Sequence, residues 1–190
     1  MKVSKKILAF LFSIVLFDFD NSTGIASGRK DIQGDASTID NVYGIEFSPN
    51  GNLLYAASID NEDGYPPALL QFNLAAGSAS DILNSGVVIA QHQPLANAGY
   101  HYYYGALQIA PDGKIYCAND FDTAMGVINL PDNIGTACNY ANDVVSLKGR
   151  QCYLGLPNIL ESYLLPVDTI VVGSLSGSIS ACAGMESGDR

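Results

Sequence analysis

The chain has 190 residues, a formal charge of −10, 48% hydrophobic residues, eleven Tyr, seven Phe and no Trp. That length suits one domain able to bury about 70% of its unfolded surface. The acidic balance argues against nucleic acid, because no basic patch is available to neutralise phosphates, and it disfavours anionic membrane surfaces.

The chain opens with MKVSKKILAFLFSIVLF, three lysines and then an apolar run from Ile7 to Phe17 broken only by Ser13. Two readings fit residues 1–16. One is a secretory signal segment, with Gly24 and Ala26 as a small-x-small cleavage site. The other is a degenerate first blade strand, since Lys2-Val3-Ser4 is similar to Glu46-Phe47-Ser48. The apolar run is too short for a membrane-spanning helix. Asp18, Asp20 and Ser22 have the odd spacing of a calcium loop, but Gly24 misses the sixth position and Arg29 stands at the twelfth, so the stretch reads as a strand end. Asn21-Ser22-Thr23 fits a glycosylation sequon.

Two stretches repeat. Tyr43 to Ser58 reads YGIEFSPNGNLLYAAS, and Tyr104 to Asn119 reads YGALQIAPDGKIYCAN. Ile45 and Phe47 alternate with Glu46, as Leu107 and Ile109 alternate with Gln108, so each first run predicts a half-buried strand. Pro49 and Pro111 pre-set a turn, Asn50 and Asp112 bond back to it, and Gly51 and Gly113 take the positive φ that closes it. The return strands, Leu53 to Ala57 and Ile115 to Ala118, include apolar, β-branched and aromatic residues. A second motif recurs at Leu16 to Ser27 (LFDFDNSTGIAS), Leu69 to Ser80 (LLQFNLAAGSAS) and, more weakly, Gly126 to Gly135. Further strands are expected at Gly86 to Gln91 and Val144 to Leu147. A four-stranded antiparallel unit repeated along a chain predicts a propeller blade. The fold class expected is all-β, a β-propeller-like array of about three four-stranded antiparallel blades. It would be open or partial, because a closed ring needs at least four. A meandering sandwich is the alternative. The expected division is residues 1–16 as above, 17–165 as blades and 166–190 as a tail.

Two loops hold the polar residues that turns do not explain. Asp60 to Pro67 carries Asp60, Glu62 and Asp63, a wet loop or a cation holder. The stretch His92 to Tyr104 carries both histidines, nine apart with no nearby Cys or Asp, so metal-ligand spacing is absent. Its cluster Tyr100, His101, Tyr102 and Tyr103 is the candidate ligand-binding surface for a protein or carbohydrate, tyrosine offering broad contact and a polar tip. The competing reading packs these tyrosines between blades. Gly-x-Ser-x-Gly does not occur, and no acid pair has diagnostic spacing, so no catalytic residue, metal or cofactor is assigned. Cys138 and Cys152 flank the strand Asp143 to Leu147 and are expected to form a disulfide. In an exported protein, closing that loop of about 15 residues would stabilise by roughly 3 kcal/mol. Cys117 sits in a repeated strand and reads as a buried free thiol. Cys182 lies in the tail.

The run Gly126 to Leu165, GVINLPDNIGTACNYANDVVSLKGRQCYLGLPNILESYLL, together with the two hairpins, resembles the propeller region of large Bacteroidetes cell-surface proteins. Those proteins carry PKD-type domains and a sorting domain of the gliding-motility-associated (type IX secretion) class. ACNY, GLPN and the SPNG and APDG turns are the most specific words, and the likeness covers roughly residues 17–165. The resemblance implies a secreted or cell-surface, non-enzymatic scaffold or binding module, with residues 166–190 as the start of a PKD- or immunoglobulin-like module. It brings no catalytic motif to carry over, and no sorting domain is recognisable here. A propeller-type hydrolase or lactonase and a truncated gene remnant are the alternatives. Open blade edges would favour self-association.

Overall fold

The computed structural model describes residues 4–10, 13–32, 41–59, 66–91 and 103–156. Eleven strands, among the described residues, form three antiparallel sheets in chain order. The first sheet holds β1 (Ser4–Phe10), β2 (Ser13–Asp20) and β3 (Ile25–Ile32). The second holds β4 (Val42–Phe47), β5 (Leu53–Ser58), β6 (Ala68–Asn73) and β7 (Val87–Gln91). The third holds β8 (Tyr104–Ile109), β9 (Ile115–Asn119), β10 (Ala124–Ile128) and β11 (Tyr140–Ser146). Within each sheet, strands adjacent in sequence are adjacent in space. The fold is all-β in its main elements, and the second and third sheets have the four strands expected.

The duplicated hairpins superpose pair for pair. Ile45, Glu46 and Phe47 face Ala56, Tyr55 and Leu54. At offsets of 62 and 61, Leu107, Gln108 and Ile109 face Cys117, Tyr116 and Ile115. Both turns use the same chemistry. The Gly51 N–H donates to the Ser48 carbonyl (2.8 Å) and the Gly113 N–H to the Ala110 carbonyl (2.9 Å). Asn50 Oδ1 accepts from the Asn52 N–H, Asp112 Oδ1 from the Lys114 N–H, and Gly51 and Gly113 sit at φ of 72° and 76°.

Each inter-sheet gap has its own core. Ile14, Leu16 and Ile32 of the first sheet pack on Val42, Leu54, Ala56, Leu70 and Phe72 of the second. On the opposite face of the second sheet, Leu53, Tyr55, Ala57 and Leu69 pack on Tyr104, Leu107, Ile115, Cys117 and Ile128 of the third. Because successive side chains of a strand point to opposite faces, β5 is buried at every position. The second sheet is therefore a filling between two others. Strand β8 lies against β4 and β5, the first strands of the second sheet. A Cβ on Gly44 would overlap the Gly105 carbonyl, and a Cβ on Gly105 would overlap Leu154, so Gly44 admits the backbone of β8 and Gly105 that of the segment following β11.

Helix enters where the sequence predicts only a glycine turn. After the 3-10 turn Leu74–Ala76, α1 (Ala79–Asn84) forms because Ser78 caps it. The Ser78 Oγ accepts from the Asp81 N–H while the Asp81 carboxylate accepts from the Ser78 N–H, a reciprocal capping box. Ile82 of α1 then fills the rim of the first gap. A second 3-10 turn, Gly135–Cys138, lies against β7 at the rim of the other gap, where Cys138 is buried. Among the described residues no helix is long and apolar enough to cross a membrane.

The expected Cys138–Cys152 disulfide is not formed; Cys117, Cys138 and Cys152 are buried free thiols. The Cys138 carbonyl accepts from Leu130, just beyond the end of β10, whereas the Cys152 N–H donates to the Asp122 carbonyl, just before its start. Five strand residues at about 3.3 Å each separate them by roughly 15 Å, about twice the reach of a disulfide. Flanking a strand on both sides places two residues at its opposite ends.

Candidate functional site

The antiparallel order collects one set of connections at one end of the sheets. The β9–β10 turn, the segment that follows β11, and the chain entering β8 meet there. The Asp120 N–H donates to the Tyr103 carbonyl (2.9 Å), which ties the entry of β8 to the turn. The Phe121 N–H donates to the Cys152 carbonyl (3.0 Å), and the Cys152 N–H returns to the Asp122 carbonyl (2.6 Å). This two-bond clasp holds Phe121 at φ +61°, a conformation unfavourable for a bulky side chain.

The clasp sets two aromatic rings at the surface. Phe121 is 38% exposed and Tyr153 62% exposed. Their centroids lie 6.1 Å apart at 64°, an edge-to-face arrangement. Beside them stand acceptors. Asp120 is buried, and that burial pushes its carboxyl above the usual range against an opposing hydrogen bond from the Phe121 backbone. Asp143, at φ +55°, is also pushed up, first by burial and then by its hydrogen bond to, and like charge with, Asp122. Asn142 Oδ1 accepts from Asn119 Nδ2 (2.7 Å) and from the Tyr140 hydroxyl (2.9 Å), and Asn142 Nδ2 donates to Asp143 (3.1 Å). Asn119 is fully buried, and its Oδ1 has no partner among the described residues.

The structure treats the sequence-predicted surface unevenly. Tyr100, His101 and Tyr102 lie outside the described residues, as do Asp60, Glu62 and Asp63. Tyr103 is half-buried and contributes its backbone carbonyl to the clasp region. Tyr104 belongs to the core and packs edge-on against Tyr140, ring centroids 6.2 Å apart. No repeat or motif of the sequence marks Phe121 or Tyr153. The available signal is one aromatic inside the acidic turn Asn119-Asp120-Phe121-Asp122.

Burial pushes the Cys117, Cys138 and Cys152 thiols above their ordinary range, which keeps them protonated and poorly nucleophilic. Among the described residues no group of three or more His, Cys, Asp or Glu is placed to hold a metal ion. No family model matches this chain, and a search of curated proteins finds no match.

Proposed function

We propose that the chain is a segment of an exported or cell-surface β-propeller that acts as a non-enzymatic scaffold and binding module. The observation that carries this reading is the order of the stack. Successive sheets contact through their first strands, β4 on β8, while α1 lies against β3 and the 3-10 turn Gly135–Cys138 lies against β7. Contact through the first strands, with short helical inserts between the later ones, is an order that blades around an axis would share. The first sheet's β1 lies against β4, much as β5 of the second lies against β8. On that correspondence the first sheet matches the second without its innermost strand.

The end that gathers Tyr103, Phe121 and Tyr153 is the proposed contact surface, with the stretch Tyr100 to Tyr102 as a further part of it. Loops on a rigid scaffold commonly carry recognition. Export, the gliding-motility-associated class and self-association through outer edges belong to the same proposal. A lactonase and esterase panel, run with and without calcium, tests it. No turnover is expected, and measurable turnover of any substrate would replace the module with a propeller-type hydrolase.

A further inference from the structure

We infer that residues 153–156 are the start of a fourth unit of the stack, and that the outer face of the third sheet is the docking surface for this chain's own continuation, residues 157–190. The inference rests on the stacked-blade reading and adds to it the partner of that outer face. It begins from a contact made twice. Gly44 follows Tyr43 in β4, and a Cβ there would run into the carbonyl of Gly105, the residue after Tyr104 in β8. A Cβ on Gly105 would in turn run into the backbone of Leu154, the residue after Tyr153. Leu154 therefore stands to β8 as β8 stands to β4. Backbone approaches a strand this closely only where the strand carries no side chain, and a Tyr-Gly step supplies that at both receiving positions. The Ala106 N–H donates to the Leu154 carbonyl (2.7 Å) and the Phe121 N–H to the Cys152 carbonyl (3.0 Å), which fixes the segment on the third sheet.

Burial on the outer face points the same way. Ile115, Cys117 and Ile128 face the second sheet, so their alternates Tyr116, Ala118 and Val127 face away from it. Ala118 is nevertheless 0% exposed and Val127 2%. Apolar side chains turned from the second sheet and still shielded from water are covered from the other side. The matching positions of the earlier repeat, Tyr55 and Ala57, are covered by the third sheet, the next part of the chain. Here the next part arrives at Leu154, and residues 157–190 bring Tyr163, Leu164, Leu165, Ile170, Val171 and Val172. A second copy would have to displace backbone already bonded to β8. A tethered segment docks without the loss of translational freedom that a second molecule incurs.

The test is hydrogen exchange on the full-length protein at two concentrations, followed by the same measurement on Gly105→Ala. In wild type, a stretch within residues 157–190 should exchange at least about tenfold more slowly than an unstructured chain, equally at both concentrations. Gly105→Ala pushes a Cβ against Leu154 and should release that protection, and that of the Ala106 amide, by about tenfold, while the first sheet keeps its own. Free-chain exchange throughout 157–190 in wild type would overturn the inference. So would protection that grows with concentration, which would seat a second copy on the face. Unchanged protection of 157–190 in Gly105→Ala would place that segment away from β8 and overturn it equally. The wild-type measurements decide even if Gly105→Ala fails to fold. None of these outcomes depends on turnover, so the module reading stands or falls separately on the lactonase and esterase panel.

Discussion

The two inter-sheet gaps are built from opposite faces of the same strands, yet they are held in different ways. The gap between the first and second sheets is dry. Ile14, Leu16, Ile32, Leu54, Leu70, Phe72 and Ile82 fill it, and an exposed bond from Lys30 Nζ to the Gly77 carbonyl (2.9 Å) crosses its rim. The gap between the second and third sheets adds a buried polar staple. Gln71 Nε2 donates to the Tyr55 hydroxyl (2.7 Å) and the Asn133 carbonyl (2.8 Å), while Gln71 Oε1 accepts from the Gly135 N–H (2.7 Å). The Tyr55 hydroxyl in turn donates a hydrogen bond to the Pro131 carbonyl (2.8 Å), and burial raises its pKa well above the usual range. Glu46 Oε2 accepts from the Ile109 N–H (3.0 Å), and the Asn50 N–H donates to Asp132 (3.0 Å). Apolar packing tolerates sliding between surfaces, whereas directional bonds between buried groups fix one register. The polar gap adjoins the third sheet, whose far end carries the exposed rings held by the clasp between residues 121–122 and 152.

Substitutions at the two gaps sharpen that contrast. Phe72→Ala should have the largest effect, about 4 kcal/mol lost from the dry gap through burial and cavity terms, read by denaturant unfolding. Loss below about 1 kcal/mol would mean that the gap collapses around the cavity. Gln71→Leu keeps most of the volume but leaves the Gly135 N–H and the Asn133 carbonyl without their partner. It should cost about 3 kcal/mol. Its protection loss in hydrogen exchange should fall on residues 129–138 and not on the first sheet. Uniform loss across all three sheets would show that the gaps do not act separately.

Ser78→Ala removes the cap of α1 at the rim of the dry gap and should cost about 1 kcal/mol. The smallest effect concerns pH. The carboxyl of Asp143 is raised in the folded state, so its contribution to stability is full at acid pH and is lost as pH rises through that raised value. Asp143→Asn should therefore raise the melting temperature relative to wild type at neutral pH, with the difference shrinking towards pH 3. Asparagine also suits φ +55°. A difference that grows on acidification would reverse the assigned sign.

Much of the architecture was legible in the residues. The Pro-Asn-Gly and Pro-Asp-Gly turns, the period-two runs around them, and their repetition gave the hairpins, and the hairpins gave sheets. These are short-range matters: a fixed φ, an Asn or Asp side chain bonding two residues on, a glycine at positive φ. Helix α1 was also local, since Ser78 and Asp81 have the spacing of a capping box, but the repeat alignment hid it behind a glycine turn. The cysteine pairing failed for a different reason. Sequence distance told that Cys138 and Cys152 flank a strand, and only the sheet decides that they sit at its opposite ends.

The candidate site shows the same division. An acidic turn holding one phenylalanine is visible in the chain, and so is Tyr153, but 32 positions separate them. Their approach depends on the backbone clasp between residues 121–122 and 152, which forms because β10 and β11 are paired and return the chain to the start of β10. Likewise Gln71 reads as an interior polar residue of a strand, and its partners at 133 and 135 belong to another sheet. The sequence by itself determined the turns, the strand periodicity and the repeated unit, because each is settled by the torsions and side chains of adjacent residues. Tertiary structure decided which faces meet, which thiols stay apart and which aromatics stand at the surface, because those depend on the stacking of sheets whose contacts are long-range and non-directional until the polar staple fixes them.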